Sequence, residues 1–284
     1  MSSAADVRRI LAEHGFRFSK SMGQNFLIDA NIPEKIVRLA TLDKTCGVLE
    51  IGPGIGALTF ELSRAAGFVT AVELDRRLLP ILYDVLVDRN NVEIVQGDIL
   101  KQDLDILLSE KMPGFRHHAC ANLPYSITTP ALTALIDAGV FETITVMVQR
   151  EVARRICAKH GSPDYSAFSV YVGYHCEAEI LFDVSPECFF PKPGVWSSVL
   201  KLKTRKGPLL EAEIEKVFFR LVKAAFGQRR KTLANALHSA FGSSMSKEDI
   251  TAIVEDCGFD PLVRGETLSI AEFSALAHRF LSLL

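Results

Sequence analysis

The sequence predicts an α/β fold: a mostly parallel sheet covered on both faces, with an antiparallel hairpin at its edge and a small all-α domain behind it. Three observations carry this. From residue 48 to about 150, short apolar runs alternate with helix-like segments, the pattern of a sheet built from strand–helix–strand units. Two later runs, EAEILFDV (177–184) and WSSVLKLK (196–203), are separated by a Pro-rich loop and suit an edge hairpin. After Gly207-Pro208 every segment is helix-like, with no strand between. A length of 284 residues favours two domains. The boundary is placed at residue 207, giving domains 1–207 and 208–284.

The strand candidates are VLEI (48–51), FVTAVEL (68–74), NVEIVQ (91–96), HACAN (118–122) and TITVMVQ (143–149). Between them ALTFELSRAA, RRLLPILYDVLVDR and TPALTALIDAG have apolar residues at helical spacing. Beyond residue 207, EIEKVFFRLVKAAF, KTLANALHSAF, SKEDITAIVEDC and SIAEFSALAHRFLSLL read as helices. Ser246 with Asp249 and Ser269 with Glu272 have the spacing of N-terminal capping pairs.

Composition narrows the class. With 48% hydrophobic and 23% charged residues the chain reads as an ordinary globular protein. The start MSSAADVRRI lacks the apolar core of a signal peptide, and no stretch approaches the roughly 20 apolar residues of a membrane span. The six cysteines are scattered without a CxxC pair, so reduced thiols in a cytoplasmic protein are expected. His117 and His118 are adjacent, and neighbours on a strand point to opposite faces, so no metal site is expected there. Net charge is only −2, yet eleven basic residues face three acidic ones between Lys192 and Lys231. Such a stretch is either a solvated face or a local polyanion site.

The chemistry concentrates at strand ends. VLEI runs into GPGIGA (52–57), where glycines permit a tight turn and close backbone approach to a ligand. Gly52, Gly54 and Ala57 satisfy the dinucleotide fingerprint, and Glu73 follows about 20 residues later, where an acid grips ribose hydroxyls. The loop alone therefore fits a nicotinamide enzyme or an S-adenosylmethionine enzyme. Three features separate them. Glu50 would repel a pyrophosphate but favours an ammonium or sulfonium. Asp98, after the third strand, can accept from an adenine amine. Asn122-Leu123-Pro124-Tyr125 leaves the fourth strand with an amide oxygen, backbone carbonyls and an aromatic ring, a set able to hold a flat ring bearing an amine. The plain alternative is a strand-to-helix turn punctuated by Pro124. A dehydrogenase would also need a proton relay, and none is identifiable.

Taken together, these residues resemble the small-subunit ribosomal RNA adenine N6-dimethyltransferase family over nearly the whole chain. The motifs are GQNFL (23–27), GPGIGALT, VELD, QGDIL, NLPY, SPECFFPKPGVWSSVLKL and AFGQRRKTLANAL (225–237). GQNFL with NLPY is shared only with the related macrolide-resistance methyltransferases of large-subunit RNA. QRRKTLANAL favours the small-subunit branch. Where the family usually has consecutive prolines and then Lys-Val-Asp-Ser, this chain has Pro191-Lys192-Pro193-Gly194-Val195-Trp196-Ser197. Ser126 stands where Asn is common.

The resemblance implies a Rossmann-like class I methyltransferase domain over 1–207, with 1–45 on the cofactor and RNA side. It implies a helical RNA-binding domain over 208–284. S-adenosylmethionine would be held by Gln24, Asn25, Leu27, Glu50, Gly52 and Gly54, and further by Glu73, Leu74, Asp98, Ile99 and Asn122. Four methyl groups would pass to two adjacent adenosines near the 3′ end of small-subunit (16S) RNA. Asn122 Oδ1 and the Leu123 or Pro124 carbonyl would accept the amine hydrogens, and Tyr125 with Phe189 would sandwich the base. Lys192, Arg229, Arg230 and Lys231 are the expected RNA contacts. The expected partner is the assembling small subunit, met by a monomer. The competing functions are a large-subunit resistance enzyme, a nicotinamide oxidoreductase and a non-catalytic assembly factor.

Overall fold

A computed structural model of the chain describes residues 4–18 and 24–283; Gly23, the first residue of the GQNFL motif, lies outside them. The elements are α1 (Ala4–Glu13), β1 (Phe26–Leu27), α2 (Asn31–Ala40), β2 (Cys46–Ile51), α3 (Ala57–Ala65), β3 (Phe68–Glu73), α4 (Leu79–Val85), β4 (Val92–Gln96), α5 (Leu104–Lys111), β5 (Arg116–Asn122), α6 (Thr128–Asp137), β6 (Thr143–Gln149), α7 (Arg150–Ile156), α8 (Ala167–His175), β7 (Cys176–Val184), β8 (Phe189–Phe190), β9 (Ser197–Thr204), α9 (Ala212–Gly227), α10 (Leu233–Phe241), α11 (Lys247–Asp256) and α12 (Ile270–Leu281). Seven strands form one sheet in the order β4-β3-β2-β5-β6-β9-β7, and β1 pairs with β8 apart from it.

Strands β2 to β6 pair in parallel, and β9 runs antiparallel to β6. Every residue of β2 is buried, as befits a parallel strand covered on both faces. The two late runs expected as an edge hairpin are β7 and β9. They lie side by side at that edge, with β9 inserted next to β6. The chain passes from β2 to β3 and β4 on one side, then crosses to β5 and β6 on the other. That reversal opens a crevice at the carboxyl ends of the strands.

Contacts divide the chain into two units, 1–153 with 179–204, and 154–178 with 205–284. In the first, Leu27, Ile36, Leu58 and Leu62 pack with Val48, Val69 and Cys120 on one side of the sheet. Val7 and Leu11 of α1 pack with Phe26, Ile55 and Ile81. In the second, Phe218, Leu237, Phe241, Phe273 and Phe280 form a fully buried core, each side chain contributing about 1.5–3 kcal/mol by leaving water. Reciprocal capping boxes start α11 at Ser246 and Asp249, and α12 at Ser269 and Glu272.

The division differs from a single cut at residue 207. One boundary falls at Thr204, but residues 154–178 join the helical unit. The reason is packing. Val170 and Tyr174 of α8 belong to the helical core, and the Tyr174 hydroxyl accepts a hydrogen bond from the Leu210 N–H (3.2 Å).

Candidate active site

At the crevice the backbone leaves β2 through Gly52 and Gly54, both at positive φ (66° and 62°). A Cβ on Gly54 would stand 3.1 Å from the Phe26 ring, so glycine is needed there for conformation and for space. The turn ties the first two strand ends together. Gly54 N–H donates to one Glu73 oxygen (3.1 Å), and Asp75 N–H donates to the other (2.8 Å). The resulting cleft, with room for about 310 Å³, is lined by Gln24, Asn25 and Leu27, by Glu50 through Ile55, by Glu73 to Asp75, by Gly97 to Ile99 and by Asn122 to Ile127. Every cofactor-side residue singled out from the sequence lines this one cleft.

Its electrostatics favour a ligand rich in hydrogen-bond donors. Glu50 is 1% exposed, and its Oε2 has no hydrogen-bond partner. Burial first, and the Glu73 charge with it, push its carboxyl up to about 8, against the opposing pull of the Thr59 hydroxyl. Burial also raises the Glu73 carboxyl, although the Asp75 and Gly54 amides counter it. The Gln24 amide nitrogen donates to Asp75 (2.8 Å), which leaves Gln24 Oε1 buried and unpartnered. Asp75 is held ionised chiefly by its bond to Arg77. Two orphaned buried acceptors are costly unless a ligand supplies donors. An α-ammonium and ribose hydroxyls supply them; a pyrophosphate does not. The residues therefore fit S-adenosylmethionine. Asp98 caps the turn at 99–101, its Oδ1 accepting from Leu100 N–H (3.1 Å). Leu74 is half exposed and Ile99 buried, both beside Asp98 in the cleft wall.

The far end of the cleft is built by the exit of β5. Asn122 Nδ2 donates to the Asn25 carbonyl (3.3 Å). One N–H of the amide is thus tied to the N-terminal segment, and Oδ1 is the group's acceptor. Leu123 is anchored by its N–H to Met147 (3.1 Å). The Pro124 carbonyl is already taken by Ile127 N–H (3.1 Å) and the Thr128 hydroxyl (3.4 Å). Of the two carbonyls left open by the sequence, the Leu123 carbonyl is therefore the one available. The turn geometry of the plain reading is present, and it is what aims these acceptors. Tyr125 hydrogen-bonds through its hydroxyl to Ser197 Oγ (2.7 Å) at the start of β9. Burial raises the phenol, so it stays neutral.

Other expected residues are placed differently. Phe189 does not present its ring to the cleft. It is 3% exposed and sits in the core cluster with Leu27 and Val184, because β8 pairs Phe189 opposite Leu27 and directs both side chains inward. Lys192 is exposed and ion-paired to Glu187. Arg229, Arg230 and Lys231 are exposed in the turn before α10. Arg229, however, is tied to Glu266 (3.0 Å) and to the Pro163 carbonyl (3.2 Å), a clasp within the helical unit. Ser197 and the Asn25 carbonyl escaped sequence reasoning. A serine at the head of an apolar strand run was the only signal for the first, and a backbone acceptor leaves none. Among the described residues no cluster of His, Cys, Asp or Glu could hold a metal ion.

The sequence matches the family model described as "Ribosomal RNA adenine dimethylase" over residues 15–276. It is 49% identical to the "Ribosomal RNA small subunit methyltransferase A" of Streptococcus sanguinis, covering 95% of this chain and 94% of that one. The protein of that name from Pelotomaculum thermopropionicum is 46% identical, covering 99% and 97%. In three dimensions the chain resembles a dimethyladenosine transferase from Plasmodium falciparum, with a TM-score of 0.78, 24% identity and coverage of 90% and 98%. It also resembles the 23S rRNA methyltransferase ErmE, with a TM-score of 0.71, 27% identity and coverage of 90% and 99%.

Proposed function

The chain belongs to the ribosomal RNA adenine dimethylase family, and on that premise we propose that it dimethylates N6 of two adjacent adenosines in the 3′-terminal hairpin loop of small-subunit RNA. The proposed cofactor is S-adenosylmethionine, which supplies an electrophilic methyl group on a sulfonium. The proposed partner is the assembling small subunit, met in the cytoplasm by a monomer. No helix among the described residues is long and apolar enough to cross a membrane.

One observation carries the reading: Asn122, whose amide nitrogen donates to the Asn25 carbonyl, shares a cleft with Glu50, Glu73 and Asp98. Glu50 and Gln24 Oε1 receive the amino-acid end of the cofactor. Glu73 would receive the ribose hydroxyls, and Asp98 the adenine amine, with Leu74 and Ile99 supplying apolar wall to the same cleft. The target adenine enters over Tyr125, whose ring Ser197 holds in place. Its amine is a poor nucleophile because the lone pair is delocalised. Asn122 Oδ1 and the Leu123 carbonyl would accept its hydrogens and favour a pyramidal nitrogen whose lone pair is free to attack an electrophile. Positive charge then develops on nitrogen, against two fixed acceptor dipoles. Holding both reactants in one cleft would remove much of the entropic barrier. No strong base would be needed: as the N–C bond forms and the S–C bond breaks, the charge moves from sulfur to nitrogen, and the newly acidic N–H proton is lost to water.

The test is incubation with labelled S-adenosylmethionine and unmodified small or large subunits, followed by mapping of the label. Dimethyladenosine at paired adenosines near the small-subunit 3′ end supports the reading. Label on large-subunit RNA would move the chain to the resistance branch. Label on neither, with cofactor bound, would favour a non-catalytic assembly role.

A further inference from the structure

Trp196 is the only tryptophan in the chain, and 42% of it is exposed. It precedes Ser197, the residue that anchors the Tyr125 hydroxyl. Its carbonyl accepts the Arg150 N–H (2.9 Å), and the Arg150 guanidinium lies 5.2 Å from its ring centroid. Val195 beside it is 41% exposed. Trp196 also stands in the loop where this sequence departs from the family's usual Lys-Val-Asp-Ser.

An indole left half in water forfeits much of the energy its burial would provide. The arrangement gains a different capability. An exposed aromatic face stacks on any base, and an adjacent guanidinium meets the backbone phosphate. Extruding a base into an active site unstacks its neighbours. The nearest exposed aromatic surface along the chain from the Tyr125 anchor is then Trp196.

Building on the function proposed above, we propose that Trp196, backed by Arg150, is a stacking platform for the nucleotide adjacent to the flipped adenine. One adenosine of the pair occupies the cleft while its neighbour rests on the indole. Trp196 is thus a substrate-positioning residue for the pair, and it acts on RNA engagement without touching the cofactor. The competing structural role is a clamp that merely holds Arg150 at the start of α7.

A single tryptophan makes the test direct, because fluorescence excited at the red edge of the indole band, where the five tyrosines do not absorb, reports Trp196 alone. The full-length protein with S-adenosylhomocysteine bound is titrated with a short RNA hairpin carrying two adjacent adenosines. A second hairpin has one of the two replaced by an abasic nucleotide. The platform predicts quenching by the first hairpin and a much weaker response to the second. It also predicts that W196A raises KM for the small subunit about fivefold to a hundredfold, with cofactor affinity unchanged, and that W196F retains most of the binding. Equal quenching by both hairpins, or an unchanged KM in W196A, would overturn it. Should W196A fail to fold, the wild-type titration still decides. Wild-type methylation is read in the KM measurement, with S-adenosylmethionine and the small subunit. If wild-type protein modifies the RNA but KM is insensitive to Trp196, the platform alone falls. If wild-type protein leaves the RNA unmodified, the proposed function falls and the platform with it.

Discussion

Binding of S-adenosylmethionine or its product at neutral pH should expel a proton from Glu50. In the ligand-free protein, burial holds that carboxyl at about 8, well above its ordinary 4.5, so it is mostly neutral at pH 7. An ammonium against its unpartnered Oε2 favours the ionised form. With the bound carboxyl returned to its usual range, about 0.9 proton leaves per site at pH 7, and affinity rises about tenfold from pH 6 to pH 7. The sign for stability is the reverse. A folded value above the unfolded one means the neutral acid favours folding, so ligand-free stability is lost as pH rises from 4.5 through about 8. The assay is calorimetric titration with S-adenosylhomocysteine, which keeps the ammonium but has no methyl to transfer, in two buffers of different ionisation enthalpy. Glu50→Gln should abolish proton release and flatten the affinity profile between pH 6 and 7. Normal affinity without proton release in the wild-type protein would refute the role assigned to Glu50.

Because Tyr125 and Ser197 share one hydrogen bond, Tyr125→Phe and Ser197→Ala should each cost about fivefold in kcat/KM, and the double variant no more than either. Tyr125→Ala should cost about 10- to 100-fold, because the stacking surface goes with the ring; equal losses for Phe and Ala would count against stacking. Arg230→Gln and Lys231→Gln should each lower the slope of log affinity for RNA against log salt by about one. Arg229→Gln should instead destabilise the helical unit by about 1 kcal/mol, through loss of its carbonyl and Glu266 partners; thermal melts and salt titrations separate the two effects.

Much of the fold could be read from the chain because parallel strands are buried on both faces and become near-continuous apolar runs. The strand bounds at 46–51, 92–96 and 143–149 lie within two residues of the runs expected. The site was readable for a related reason. A parallel sheet brings the residues at and just past the carboxyl ends of its strands to one rim, so Glu50, Glu73, Asp98 and Asn122 converge although scattered along the sequence. What escaped depends on pairing between distant segments. The resemblance implies that Phe189 stacks on the base, but the pairing of β8 with β1 turns its ring into the core. Arg229 looked like a phosphate contact until the fold set it beside Glu266. Residues 154–178 lead into β7 of the sheet yet group with the helices, since Tyr165, Val170 and Tyr174 pack in the helical core. The choice between the Leu123 and Pro124 carbonyls was beyond any motif, because it turns on which is already bonded.

The central claim is that Asn122 acts mainly on the substrate amine in the transition state, with far less weight in ground-state binding of either ligand. It is tested by the single-turnover rate of Asn122→Ala with cofactor and small-subunit RNA both saturating. A drop of about 100- to 1000-fold in methyl transfer, with affinity for both ligands retained, is the predicted result. A wild-type rate in that variant would contradict the account.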